Sequence, residues 1–219
     1  MPPIVTFIGW HDCGKTTLAS RVVSHLKQLG YQVAVIKSTK ETGIVFDTPG
    51  TDTHTHRSAG ADSVMLVAPD QMVIMTDNRQ ESLTSLAHRH FPDVDIVIGE
   101  GFKEARQVSK IEVFRNSETK ELLRNTVTGV IAVASDEQVS GDHVFRLTEA
   151  AEIASFIEKR FLQDAGKGAD HTTLLINGNR IPMKNFVQDA LAGTVCGFVD
   201  SLKLGTKVTK TIDIRITLP

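Results

Sequence analysis

Two glycines, a lysine and a pair of hydroxyls are set at a spacing that can do chemistry in Gly9-Trp10-His11-Asp12-Cys13-Gly14-Lys15-Thr16-Thr17. The pattern is G-x-x-x-x-G-K-[ST], placed between an apolar run (Ile4-Val5-Thr6-Phe7-Ile8) and a helix-patterned segment over 18–29. Glycines at those positions let the backbone curl until successive N–H groups point inward at phosphate oxygens. The following helix N-terminus adds partial positive charge. In such a loop Lys15 reaches the β- and γ-phosphates, and the Thr16 hydroxyl sits on Mg²⁺. The stretch therefore reads as a nucleoside triphosphate loop, with Gly9, Asp12, Cys13, Gly14, Lys15, Thr16 and Thr17 as its binding residues. Cys13 stands at a helix N-terminus, which lowers a thiol's pKa, but it also occupies one of the loop's variable positions, and that reading is preferred.

Hydrolysis needs more than a phosphate loop: a second carboxylate for Mg²⁺ and a group that positions water. Glu100 sits just past the apolar strand Asp95-Ile96-Val97-Ile98. Asp52 lies in Pro49-Gly50-Thr51-Asp52-Thr53-His54, a glycine-bearing loop suited to folding over a ligand. Both are candidate metal and catalytic residues together with Lys15. No residue has the setting of a strong general base, so turnover by the chain alone should be slow. An arginine from a partner would supply the missing charge stabilisation. His11, His54 and His56 fall in loops, and the last two alternate as strand neighbours would. They have no cysteine or acidic partner at ligand spacing, so they read as exposed loop histidines.

The elements that must position these residues follow from periodicity. Tyr31-Gln32-Val33-Ala34-Val35-Ile36 reads as a second buried strand ending at Lys37, and 41–60 as a long polar loop. Apolar runs over 63–68 and 71–76, parted by Pro69-Asp70, read as a hairpin or two adjacent strands. Helical spacing over 80–90, strands over 94–98, 110–114 and 130–134, and a helix over 149–161 complete the unit. Strands rich in Val and Ile alternating with helices predict a mostly parallel sheet with helices on both faces. Ligands on such a sheet bind at the carboxyl ends of the strands. The loop, Lys37 and the stretch 99–103 all follow strands, so they should share one sheet edge.

The chain has 219 residues, 41% of them hydrophobic and 23% charged, with a net charge of −2 and two cysteines. That balance excludes a broad basic nucleic-acid footprint. No run reaches bilayer length and no signal segment precedes the first strand, so a cytoplasmic protein with no membrane partner is expected. The cysteines, Cys13 and Cys196, suggest neither a disulfide nor a zinc site. The division expected is a nucleotide-binding domain over 1–162, a linker over 163–170 and a small α+β accessory domain over 171–219. The last would hold a strand over 172–176, a turn at Asn177-Gly178-Asn179, a helix over 185–202 and a half-buried strand over 211–217. So small a unit makes a marginal core, so it should lean on the main domain or on a second copy.

Five segments in order, GWHDCGKTTL, DTPGTDTHTHRSAGAD (47–62), DIVIGEGFK (95–103), KIEVFR (110–115) and GVIAVASD (129–136), resemble the molybdopterin-guanine dinucleotide biosynthesis protein B family over about residues 3–162. The resemblance implies a P-loop NTPase fold and a GTP-binding homodimer with weak GTPase activity. It also implies a role in assisting the GMP transferase that attaches GMP to molybdopterin. On that pattern Gly9, Gly14, Lys15, Thr16 and Thr17 bind phosphate, while Asp52 and Glu100 lie near Mg²⁺. The chain departs from the family at Lys37-Ser38-Thr39-Lys40, where histidines commonly follow the lysine, and at Thr51, often a lysine. Guanine preference also rests on the resemblance, since the N/T-K-x-D tetrapeptide is absent. Asp136 could accept hydrogen bonds from guanine N1 and N2, or cap a helix. Two other readings remain open: a small-molecule kinase, for which 47–62 carries only Arg57 as a lid arginine, and a non-catalytic adaptor switched by nucleotide.

Overall fold

Strand β1 (Ile4–Ile8) is buried at every position, as a strand flanked and covered on all sides must be. The computed structural model, which describes residues 2–115, 121–163, 172–176, 179–202, 212–214 and 216, places it inside a six-stranded sheet. With β2 (Val33–Lys37), β5 (Ile96–Glu100), β6 (Ser109–Phe114), β7 (Val130–Ser135) and β8 (Val144–Phe145), the order is β2-β5-β1-β6-β7-β8 and every pairing is parallel. The expected α/β class holds. Numbers β3 and β4 belong to a hairpin outside this sheet.

One face is covered by α1 (Lys15–Gln28) and α4 (Ala150–Ile157). Leu18, Ala19, Val22 and Leu26 fall on one stripe of α1, and Ala150, Ile153, Ala154 and Ile157 on one stripe of α4. They enclose Val5, Phe7, Ile96, Ile98, Ile111 and Val113 from the strands. Burying each of the larger side chains stabilises the fold by about 1.5–3 kcal/mol. A π-helical turn, Glu158–Leu162, extends α4.

The opposite face has a lighter cover. Leu83 and Ala87 of α3 (Leu83–His90) pack there with Val108, Phe102 and Ala105 of the irregular connection 101–108. That connection carries the chain from β5 across to β6 without a helix. Lys110 pins it: its side chain is fully buried, and its Nζ donates to the carbonyls of Ala105 (2.6 Å), Thr128 (2.9 Å) and Val108 (3.3 Å). Burial pushes the pKa of Lys110 below the usual lysine value. Glu112, equally buried, accepts from the backbone N–H groups of Leu123 (2.6 Å) and Arg124 (3.0 Å), opening the 3-10 turn Leu123–Asn125.

The hairpin β3 (Ser63–Val67) and β4 (Met72–Thr76) forms as its pattern predicts, antiparallel and separate from the main sheet. The long polar loop expected over 41–60 is corrected in its second half. Asp52–Ser58 is a helix, α2, whose N-cap Thr51 accepts from the N–H of His54. It buries none of its residues, so it leaves no apolar stripe to read in the sequence. His54 and His56 consequently sit on a helix rather than alternating along a strand.

Beyond residue 171, β9 (Leu174–Ile176) and β10 (Asn179–Ile181) pair antiparallel, and α5 (Asn185–Ser201) follows. β10 lies alongside α3. Residues 164–170 of the expected linker over 163–170 and the turn residues Asn177 and Gly178 lie outside the described residues. So do 211, 215 and 217 of the last expected strand. Its described residues have no strand pairing, and Ile214 and Ile216 are exposed. Alternation alone marks a strand only where a neighbouring strand accepts it.

Candidate functional site

The loop leaves the carboxyl end of β1 and closes on α1. A Cβ built on Gly9 would stand 2.3 Å from the Val113 carbonyl oxygen and 2.6 Å from Cys13 Sγ, so only glycine fits the bottom of the loop. Cys13 is buried beneath it, which makes its thiol a packing group. Gly14, at φ +91°, is the N-cap of α1 and offers no side-chain cap. The free N–H groups of the first helical turn therefore face the loop's mouth. Lys15 folds back over the loop, donating to the Trp10 carbonyl at 2.6 Å and reaching Cys13 Sγ at 3.7 Å.

Across the edge, Thr16 Oγ1 donates to Glu100 Oε1 at 2.6 Å. Lys37, at the end of β2, places Nζ 3.4 Å from that carboxylate oxygen and 3.5 Å from the Thr16 hydroxyl. Glu100 is only 7% exposed. Backbone bonds hold it on both sides: Ser38 N–H donates to the Glu100 carbonyl and Gly101 N–H to the Phe7 carbonyl, each at 2.9 Å. A hydroxyl and a carboxylate in contact beside a phosphate loop are hard oxygen donors of the kind Mg²⁺ takes when phosphates fill the rest of its shell. The Lys37 ammonium stands beside both oxygens. The donor set fits the ion.

Other candidates lie elsewhere. Asp52 begins α2, and among the described residues it makes no hydrogen bond or ion pair with Lys15, Thr16 or Glu100. The Asp12 carboxylate takes His11 Nδ1 at 2.7 Å, both side chains pointing into solvent. Thr17 is exposed and its carbonyl accepts from Ser20 Oγ. Asp136 caps no helix: its Oδ1 accepts from the Leu147 N–H at 3.2 Å, tying the end of β7 to the segment after β8. Asp47, whose carboxyl is drawn below the usual range chiefly by the Thr51 hydroxyl, helps fasten the entrance to α2. No three His, Cys, Asp or Glu side chains gather as a metal cluster among the described residues.

Two features of the site lie outside the candidate set. Trp10 donates its indole N–H to the Glu121 carbonyl at 2.8 Å, while Lys103 Nζ stands 6.0 Å from its ring centre. Arg115, the residue after β6, lies against Gly14. The strand-end rule that singles out Lys37 applies equally to Arg115, which closes the segment KIEVFR.

A parallel sheet headed by a phosphate loop, with a hydroxyl–carboxylate pair at the end of the adjoining strand, defines an α/β protein of the P-loop NTPase type. Residues 4–136 match the model of the family described as MobB, molybdopterin guanine dinucleotide synthesis protein B, and the chain belongs to that family. It is 33% identical to the molybdopterin-guanine dinucleotide biosynthesis adapter protein of Escherichia coli K12, covering 65% of this chain and 83% of that one. A Methanocaldococcus jannaschii protein given the same description provisionally is 27% identical over 97% of both chains, so the match there extends into the residues after 162. The crystal structure of molybdopterin-guanine biosynthesis protein B superposes with a TM-score of 0.59 at 28% identity, covering 72% of this chain and 99% of that one.

Proposed function

We propose that the chain binds GTP with Mg²⁺ at this loop, hydrolyses it slowly, and serves as an adapter for the GMP transferase that attaches GMP to molybdopterin. The observation that carries the nucleotide part is the 2.6 Å contact between Thr16 and Glu100 beside the loop. The family membership and the adapter descriptions of its relatives support the biosynthetic part. Lys15 and the loop amides neutralise the phosphates, Thr16 and Glu100 hold the metal, and Gly9 and Gly14 keep the cradle open. A Mg²⁺ held there would supply positive charge against that developing on the phosphates. Glu100 is the carboxylate assigned here. Asp52, at the start of α2, stays a second candidate carboxylate for the metal. The same adapter descriptions favour a protein in which nucleotide controls docking, on the transferase or with molybdopterin, over one selected for turnover. The kinase reading loses support, because Arg57, the arginine of 47–62, pairs with Asp77 at 3.4 Å. A cytoplasmic setting fits the reading, and no helix among the described residues is long and apolar enough to cross a membrane.

Calorimetric titration with GTP and ATP, each with Mg²⁺, tests this on the wild type and on Glu100→Gln. GTP should bind in preference to ATP. Removing the carboxylate charge should cost about tenfold in Mg²⁺-dependent affinity. Absence of GTP binding would sink the proposal, and equal or tighter ATP binding would return weight to the kinase.

The homodimer is proposed on a separate observation. Met65, Val67, Met72 and Ile74 share one face of the hairpin and are all exposed, an apolar patch of the kind that marks an interaction surface. A second copy of this chain covers it in our reading. Sedimentation equilibrium should find a dimer for the wild type and a folded monomer for Val67→Glu. A wild-type monomer, or an unchanged dimer in the variant, counts against this face.

A further inference from the structure

The strand order splits the mouth of the loop into two flanks. Lys37 ends β2 and Glu100 ends β5, both on one side of β1. Arg115 follows β6 on the other. On the first flank charge is matched, with Lys37 against Glu100. The second flank differs. From the point where a Cβ on Gly14 would stand, Arg115 Nη2, Cζ and Nε lie at 3.7, 3.8 and 3.8 Å. Three atoms of the guanidinium at one distance mean that its plane lies flat over Gly14, in the room the missing side chain leaves.

That placement puts a cation on the N-cap of α1, where the helix's own partial charge is positive. The first turn of α1 holds no acidic residue, and among the described residues Arg115 forms no ion pair. Lys15 adds a second cation nearby, and the loop's one carboxylate, Asp12, engages His11 instead. Helix terminus and cations repel one another as they stand; an anion seated between them turns each of these terms favourable.

We infer that Arg115 is a phosphate-binding residue of the nucleotide site, supplied by the chain itself, and that it grips the diphosphate portion nearer the nucleoside. The inference rests on the reading of the loop as a nucleotide site. The direction follows from the flanks. Thr16 and Glu100, which would hold the metal and with it the terminal phosphates, stand on the β5 flank, so the remainder of the nucleotide would extend toward β6 and β7. The planar fork of arginine, with its several parallel N–H donors, suits a phosphate better than a lysine's point charge does. A partner's arginine acting on the γ-phosphate would be a separate contribution, because Arg115 stands on the other flank.

Calorimetry on the full chain, with GTP and GDP in the presence of Mg²⁺, tests this in the wild type, Arg115→Ala and Arg115→Lys. Arg115→Ala should weaken both nucleotides by the same factor, about tenfold or more, and Arg115→Lys should restore only part of it. The melting temperature of nucleotide-free Arg115→Ala should match or exceed that of the wild type, because a repulsive contact is lost. Unchanged affinities would overturn the inference, as would a lower nucleotide-free melting temperature accompanying the binding loss, which marks a structural role. A loss for GTP alone would place the contact on the γ-phosphate and overturn the flank assignment. A wild type that binds neither nucleotide would sink the loop reading itself, and this inference with it.

Discussion

Lys15→Ala should lower GTP affinity roughly 100-fold, about 2.8 kcal/mol, while leaving the melting temperature within a degree or two of the wild type. The two halves of that expectation have separate causes. In the nucleotide-free protein Lys15 Nζ donates only to a carbonyl of its own loop and approaches one sulfur. Both contacts are local, and the side chain is only half-buried, so truncation leaves no cavity in the core. Changes of that kind stay within about 0.5 kcal/mol of stability. With a triphosphate present the same ammonium exchanges the Trp10 carbonyl for phosphate oxygens, where its charge counts far more. Titration calorimetry beside a thermal melt separates the effects. Undiminished GTP affinity in the variant would mean that phosphates do not meet this lysine.

Gly99→Val should destabilise the fold by about 3 kcal/mol or more, since overpacking a tight core forces neighbours off their minima. Gly99 lies in β5 opposite Thr6 of β1 and Ile36 of β2. A Cβ there would meet Thr6 Oγ1 at 2.6 Å, Thr6 Cβ at 2.8 Å and Leu83 Cδ2 at 3.2 Å. Thr6 cannot retreat without giving up its 2.9 Å bond to the Gly101 carbonyl, which helps hold Glu100 in place. At roughly 2–4 °C per kcal/mol for a chain of this size, the melting temperature should fall about 6–12 °C. Metal-dependent GTP binding should weaken along with it. A variant that melts within a degree or two of the wild type would mean that β5 and β1 tolerate separation.

The legible and the hidden parts of this protein divide by the range of the contacts involved. The phosphate loop is local: spacing, a preceding strand and a following helix lie within a short stretch, so its residues and their geometry follow together. Strand ends are also local, and the rule that parallel sheets bind at their carboxyl edge brings Lys37 and Glu100 to the loop without coordinates. Their contacts are not local. Thr16 and Glu100 are 84 residues apart, and only the strand order puts them 2.6 Å from each other. Asp52 shows the opposite failure. Its surroundings have the composition of a mobile loop, yet Thr51 caps a short helix there that buries nothing, so no periodic signal exists to announce it. The Thr51 that departs from the family's usual lysine is the capping residue itself. Arg115 was equally readable as a strand end, but its stacking on Gly14 depends on β6 lying next to β1, which no local pattern states.

The contacts of Trp10 carry one more consequence. It is the only tryptophan in the chain, and it sits inside the loop, stitched by its indole N–H to the segment after β6 and overlain by Lys103 from the connection after β5. Indole emission from this protein therefore comes from a single site in contact with both flanks of the loop. If Lys15 releases the Trp10 carbonyl to meet a phosphate, as proposed, the fluorophore's own backbone is what it lets go. Indole emission would then report nucleotide binding at the loop directly.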